Sequence, residues 1–161
     1  MIKEKSTVVT EIVMNEEKTD RYMYKRVWSR AKTPKLACVL TIHPGITDPN
    51  LMDLTTMLIS NAIYDLEFDG FISVNLNSRL TDKRHISKED FSEENNQAIL
   101  DAMNDENVET IIIGIGSAVL KNKDVNAWLK EILEQLSPER KGICQVLTAK
   151  KGPVHPLAPG A

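Results

Sequence analysis

The sequence is poor in aromatic residues and in cysteine. Phe, Trp and Tyr make up 5% of its 161 residues, so a buried core has to be built mainly from Ile, Leu and Val. The two cysteines, Cys38 and Cys144, each lie inside an apolar run, and no Cys-x-x-Cys spacing occurs. We therefore expect free, buried thiols and no metal site. A P-loop, a Gly-x-Ser-x-Gly elbow and a complete dinucleotide-binding glycine motif are missing too, so we expect no cofactor.

Long apolar runs and a strong charge of one sign are also absent. No run approaches the roughly 20 apolar residues that span a bilayer, and the N-terminus lacks the apolar segment of a signal peptide. With 20 Lys and Arg against 23 Asp and Glu, the formal net charge is -3, which gives no general attraction to nucleic acid or to an anionic membrane. We expect a cytoplasmic protein without membrane contact. Its length suits one domain over 1–161, with an irregular Pro- and Gly-rich tail over 149–161.

What is present is an alternation of apolar strands and amphipathic helices. Continuous apolar runs predict buried strands at 36–42, 71–76, 110–115 and 143–147. Helices are predicted between them, the first with Asp48 as N-cap and Pro49 at its first position. Its predicted core-facing stripe consists of Leu51, Leu54, Thr55, Leu58, Ala62 and Leu66.

Two β-rich segments precede these runs, at 6–14 and 21–28, and the short polar link between them predicts an antiparallel hairpin. The whole pattern predicts an α/β fold. We expect a three-layer α/β/α sandwich whose mostly parallel central sheet has about four strands, with the hairpin added to it.

Polar or glycine-rich segments follow each predicted buried strand. Because ligands of open parallel sheets bind outside the carboxyl ends of the strands, we expect a site there. Histidine changes charge near pH 7, and two histidines beside a helix N-terminus can hold an anion or position a water. The candidate catalytic residues are His43, Asp48 and His155. The candidate ligand-binding residues are Gly45, Thr47, Asn75, Arg79, Ser117, Thr148 and Lys150.

Simpler roles stay open for several of these residues. Asp48 also suits a helix cap, Asn75 a hydrogen bond to loop backbone, and Arg79 or Lys150 an ordinary surface charge.

The order of the motifs resembles a bacterial and phage family known as domain of unknown function 1643. The matching segments are His43-Pro44-Gly45-Ile46-Thr47-Asp48, Asp53-Leu54-Thr55, Val74-Asn75-Leu76, Arg79-Leu80-Thr81-Asp82 and the tail Leu147 to Leu157, with Arg21-Tyr22 and Arg26-Val27-Trp28 upstream. The resemblance covers roughly residues 20 to 158, and the tail is its most specific part. The chain departs from the family pattern at His43, Gly45 and Ile115, where the family has Asn, Ser and usually Trp.

A looser resemblance connects two loops with the uracil-DNA glycosylase-like fold. His43-Pro44-Gly45 and His155-Pro156-Leu157 stand where such enzymes carry their first-strand and late His-Pro motifs. The resemblance implies that Asp48 or His43 handles a water, Asn75 reads a base edge and His155 offsets charge on a departing base. Two functions stay open. One is binding of a nucleobase, nucleotide or nucleic acid with glycosidase-like hydrolysis, and the other is a non-catalytic module that binds a ligand or a protein partner. The sequence predicts no oligomeric state.

Overall fold

The structure, a computed structural model, describes residues 1–80, 86–116, 121–149 and 152–153. The strands are β1 (Val9–Met14), β2 (Arg21–Val27), β3 (Leu36–Thr41), β4 (Gly70–Asn75), β5 (Val108–Ile113), β6 (Cys144–Val146), β7 (Thr148–Ala149) and β8 (Gly152–Pro153). The helices are α1 (Leu54–Asp65), α2 (Glu93–Met103), α3 (Lys123–Glu134) and α4 (Pro138–Gly142), with a 3₁₀ turn at Lys88–Asp90.

Six of the strands form one mixed sheet in the order β1-β2-β4-β3-β5-β6. The antiparallel hairpin β1–β2 joins it through an antiparallel pairing of β2 with β4. β3 pairs in parallel with β4 and β5, and β5 pairs in parallel with β6. The predicted α/β class is confirmed, and the hairpin lies where the sequence placed it. β7 and β8 form a separate antiparallel pair.

Two apolar clusters lie on opposite faces of this sheet. Leu36, Cys38 and Leu40 of β3 contribute to the larger cluster, with residues of α2 and α3, whereas Ala37 and Val39 contribute to the smaller one, with residues of α1. Successive side chains of a strand point to opposite faces, so the fully buried run of β3 supplies both clusters. One face therefore carries two long helices, and the other carries α1.

The start and the packing face of α1 differ from the prediction. The helix begins at Leu54, and its N-cap is Asp53, whose carboxylate accepts from the Thr56 amide. Asp48 instead accepts from the amide of Asn50 at 2.9 Å within an exposed turn. The predicted cap was therefore wrong, because an Asx turn satisfies Asp48 before the helix begins.

The predicted core stripe of α1 was wrong as well. Its leucines Leu51, Leu54, Leu58 and Leu66 are between 39% and 59% exposed. The face that packs on the sheet carries Thr56, Ile59, Ser60 and Ile63. The helix has apolar residues around most of its circumference, so periodicity alone does not distinguish the buried side.

The last strand of the sheet is short and lies at its edge. The sequence predicted a buried strand over 143–147, but β6 spans three residues and Val146 is 47% exposed.

The expectation of a buried thiol holds for Cys38, whose burial raises its pKa to about 12, whereas Cys144 is only half-buried. Both thiols are free. Residues 138–142, expected as a link, form α4 with Ser137 as its N-cap.

None of the helices in the described parts of the chain is long and apolar enough to cross a membrane.

Candidate functional site

A buried arginine connects three segments at the carboxyl edge of the sheet. Arg21, the first residue of β2, is 3% exposed. Its Nη1 donates to the Ile46 carbonyl at 2.6 Å, and its Nη2 donates to Asn75 Oδ1 at 3.1 Å. The guanidinium carbon lies 5.5 Å from the centre of the Tyr24 ring, a cation–π distance. Arg21 thus ties the start of β2 to the end of β4 and to the loop after β3.

The buried guanidinium of Arg21 keeps its positive charge at neutral pH. Desolvation lowers the pKa of Arg21 to about 10, against the opposing influence of Asp53 and Tyr24, so the guanidinium remains a cation at neutral pH. Within the described part of the chain, its Nε has no hydrogen-bond partner. A buried cation is costly to desolvate, and the two charge-assisted hydrogen bonds offset part of that cost.

Asp53 holds the same loop from the helix side. One carboxylate oxygen accepts from the Thr56 amide at 2.7 Å, and the other accepts from the Ile46 amide at 3.0 Å. Burial opposes ionisation of Asp53, but hydrogen bonds from Thr56 and Ile46 and the charge of Arg21 outweigh it and lower its pKa. Gly45 passes so close to this carboxylate that a Cβ at position 45 would collide with Asp53 Oδ2. The loop is therefore fixed by hydrogen bonds to both Ile46 backbone groups.

Asn75 was predicted to bind ligand, but its side chain forms its hydrogen bonds within the protein. It is buried, and its Nδ2 donates to Thr41 Oγ1 at 2.7 Å and to the His43 carbonyl at 2.9 Å, while its Oδ1 accepts from Arg21. Both amide hydrogens and the amide oxygen are engaged. Asn75 thus positions the backbone of His43 next to the end of β4.

His43 also contacts the next segment through its ring. The Asn77 Oδ1 accepts from the Arg79 amide at 3.0 Å, which fixes the orientation of the Asn77 side chain. Its Nδ2 then faces His43 Nδ1 at 3.3 Å. Because Nδ2 is a donor, Nδ1 acts as the acceptor, and the neutral ring carries its proton on Nε2.

Asn95 anchors α2 to the same edge. Its Nδ2 donates to the carbonyls of Asn75 and Leu76 at 2.8 and 3.0 Å, and the residue is almost completely buried. These carbonyls lie where β4 ends, so the amide satisfies backbone acceptors that the sheet leaves open. Ser92, the N-cap of α2, lies one turn earlier. The position of this helix start is thereby set relative to β4.

A polar pocket of about 220 Å³ lies between the ends of β4 and the hairpin on one side and the segment before α2 on the other. We call it the polar pocket; its lining residues are Asp20, Tyr22, Asn77, Ser78, Arg79, Glu89, Asp90, Phe91, Ser92 and Glu94. Burial, with Asp20, Glu94 and Glu17 nearby, raises the pKa of Tyr22. The pocket is therefore acidic, with Arg79 as its single cation among these lining residues.

The structure distributes the predicted site residues over this edge. His43, Asn75, Asn77 and Arg79 form a hydrogen-bonded chain, and Arg79 lines the polar pocket. Thr47 and Asp48 line a separate pocket together with Met14, Lys18 and Pro49. Gly45 lies against Asp53 in the loop between them.

The remaining candidates lie late in the chain. The backbone of Thr148 belongs to β7. Ser117, Lys150 and His155 lie outside the described residues.

Sequence reasoning missed several residues that build this edge. Arg21 and Asp53 were recognised only as members of the family motifs Arg21-Tyr22 and Asp53-Leu54-Thr55. The role of Asp53 could have been predicted, since Asp is a preferred N-cap residue and Asp53 directly precedes the helical run that begins at Leu54. For Asn77 and Asn95, no sequence pattern indicated a hydrogen-bonding role at this edge.

Among the described residues, no group of three or more His, Cys, Asp or Glu side chains is arranged to hold a metal ion.

The chain belongs to the family described as "Protein of unknown function (DUF1643)", whose profile matches residues 21–157. The match begins at Arg21 and includes the β3–α1 loop, the end of β4 and the segment before α2, and so the hydrogen bonds of Arg21, Asp53, Asn75 and Asn95 described above. No curated protein and no solved structure matches the chain.

Proposed function

We propose that this protein binds an uncharged heterocycle of nucleobase or nucleoside type in the polar pocket. The observation that carries the proposal is the composition of the pocket wall, where two aromatic rings, Tyr22 and Phe91, occur among hydrogen-bonding groups. An aromatic ring stacks on a base with about 1–3 kcal/mol per base. Carboxylates accept from ring and exocyclic N–H groups, and Arg79 supplies donors for a ring carbonyl.

The charge of the pocket narrows the class of ligand. Its wall carries four carboxylates, Asp20, Glu89, Asp90 and Glu94, against one guanidinium. A phosphate placed there would meet like charge, which costs binding energy. The proposal therefore favours a base or nucleoside over a nucleotide or nucleic acid.

A thermal-shift panel tests the proposal. Nucleobases, nucleosides and the corresponding 5′-monophosphates are compared at equal concentration. A ligand at about 100 times its Kd adds roughly 2.7 kcal/mol, or about 5–10 °C in Tm for a chain of this length. We expect shifts with bases or nucleosides, smaller ones with monophosphates, and none in Tyr22→Ala or Arg79→Ala. Arg30→Ala, which changes an exposed arginine far from the pocket, serves as the control. A flat panel, or shifts that persist in both pocket variants, rejects the proposal.

Glycosidic-bond hydrolysis is the second candidate, and the contact between Asn77 and His43 favours it. Asn77 lines the polar pocket and contacts the His43 ring, so a histidine lies directly behind the pocket wall. In this reaction, water adds to C1′ of a nucleoside, and the electron pair of the N-glycosidic bond leaves with the base, which takes up a proton. His43 Nδ1 would take the proton from the attacking water in place of its hydrogen bond from Asn77 Nδ2. Asp48 lines a separate pocket, so the proposal assigns it no role in handling water. The late His155 would stabilise the departing base.

Product analysis separates hydrolysis from binding alone. Chromatography of a nucleoside incubated with the protein should detect free base and free ribose. His43→Gln should abolish their release while the thermal shift persists. Binding without any product would identify a non-catalytic binding module and would exclude hydrolysis of the tested nucleosides.

A further inference from the structure

A second surface, which is apolar where the polar pocket is charged, consists of the solvent-facing side of α1. Leu54, Met57 and Leu58 on the helix and Leu51 and Met52 just before it are each more than a third exposed. From Leu54 to Tyr64 the helix has no charged residue. A solvent-facing helix surface ordinarily carries charged and polar side chains, so this one is unusually apolar.

An open apolar groove runs beside this helix. It has a volume of about 260 Å³ and lies between α1 and the sheet, lined by Val39, Leu58, Ile59, Ala62, Ile63, Ile112 and Leu147. The opposite face of the sheet is covered by α2 and α3. The groove thus adjoins sheet surface that no helix in the described part of the chain covers.

We propose that this face binds a second copy of the same chain, with the α1 ridge of each copy seated beside the groove of the other. The ridge and the groove share Leu58 and form one continuous patch, as a twofold-symmetric interface requires. The patch presents five large apolar side chains, Leu51, Met52, Leu54, Met57 and Leu58, which are each between 39% and 57% exposed. The buried core of a homodimer interface is more apolar than ordinary protein surface, and this patch has that composition.

The absence of charge on the ridge supports a copy of this chain as the occupant. An acidic or basic peptide would find no ionised partner on the helix between Leu54 and Tyr64. The groove requires an uncharged, apolar helix face, and α1 supplies one. The outer faces of α2 and α3 do not, because they carry charged residues such as Glu94, Asp101, Lys130 and Glu131.

Sedimentation velocity of the full chain over a hundredfold range of concentration tests the proposal. We expect a concentration-dependent species of twice 18.1 kDa. Leu54→Glu and Leu58→Glu should each weaken the dimer at least tenfold in Kd. Glu and Leu have similar helix propensity, so these substitutions at exposed positions should leave the circular dichroism spectrum and the Tm near those of wild type. Val9→Glu, at an equally exposed apolar position on β1, is the matched control and should dimerise like wild type.

Three results would overturn this assignment. The first is a monomer at every concentration. The second is a dimer that both glutamate variants leave intact, which would place the interface elsewhere. The third is a dimer that forms only after residues 154–161 are deleted, which would mean that the chain's own C-terminal segment occupies the groove. None of these outcomes bears on ligand binding in the polar pocket.

Discussion

Arg21 Nη2 donates a hydrogen bond to Asn75 Oδ1 across 54 positions of sequence, and both side chains are buried. The contact joins the first residue of β2 to the last residue of β4. Asn75 in turn holds Thr41 and the backbone of His43. The carboxyl edge of the sheet is thus organised around one buried cation and one buried amide.

Removal of the Arg21 guanidinium should destabilise the fold. Arg21→Met leaves the Ile46 carbonyl and Asn75 Oδ1 without their donor, and hydrogen bonds to charged groups contribute about 1.5–3 kcal/mol each. We expect a loss of about 3 kcal/mol, or roughly 6–12 °C in Tm, in urea and thermal unfolding. Arg30→Met, at an exposed arginine, should stay within about 0.5 kcal/mol of wild type. Equal effects of the two substitutions would contradict the buried network.

The two aspartates near the start of α1 should behave differently. Asp53→Ala removes the N-cap and the acceptor for the Ile46 amide, and we expect a loss of about 2 kcal/mol. Asp48→Ala removes one exposed turn contact, so about 0.5 kcal/mol is expected. Urea unfolding of both variants measures the difference. If Asp48→Ala were the more damaging, the helix would begin where the sequence pattern placed it.

The ionisation of Asp53 should affect how the free energy of unfolding changes at acidic pH. Its pKa is lower in the folded protein, so the folded state favours the carboxylate. This contribution is complete above the unfolded pKa of about 3.9 and is lost as pH falls through the lower folded value. The free energy of unfolding of wild type minus that of Asp53→Asn should therefore shrink below about pH 4. A difference that stays constant from pH 6 to pH 2.5 would refute the assigned shift.

Gly45 should not tolerate a side chain. The Cβ of Gly45→Ala would collide with the Asp53 carboxylate, which hydrogen bonds hold in place. We expect a loss of about 1–3 kcal/mol, as for other overpacked sites. Gly142→Ala is the matched control, since nothing lies within 4 Å of its Cβ, and it should be neutral or slightly stabilising. If thermal unfolding showed a larger loss of Tm for Gly142→Ala than for Gly45→Ala, the loop would have space for a Cβ beside the Asp53 carboxylate.

The sequence predicted the strands better than the helix faces. The runs at β3 and β4 are continuously apolar or nearly so because each strand is buried on both faces, and a short run of this kind is typical of a central parallel strand. On α1, apolar residues occur on both sides, so the choice between Leu58 and Ile59 as a core residue depends on how the helix sits on the sheet. β6 was overestimated because an apolar run does not reveal that its strand lies at an edge.

The proximity of three candidate residues was predictable from the sequence, but their hydrogen-bonding arrangement was not. The predicted ends of the buried strands bring His43, Asn75 and Arg79 to one edge of the sheet, and the structure places them together there. Burial of Arg21 could not be foreseen, since a charged residue is buried only where distant segments supply its partners. The hydrogen-bonding roles of Asn77 and Asn95 depend in the same way on contacts across the fold.

Localisation of a ligand by NMR tests the central claim most directly. The ¹⁵N-labelled chain is titrated with the base or nucleoside that gives the largest thermal shift. We expect saturable amide shifts concentrated at Tyr22, Asn77, Arg79, Phe91 and Ser92, the wall of the polar pocket. Saturable shifts confined to the loop at Thr47 and Asp48, or to α1, would contradict the account and place the ligand site elsewhere.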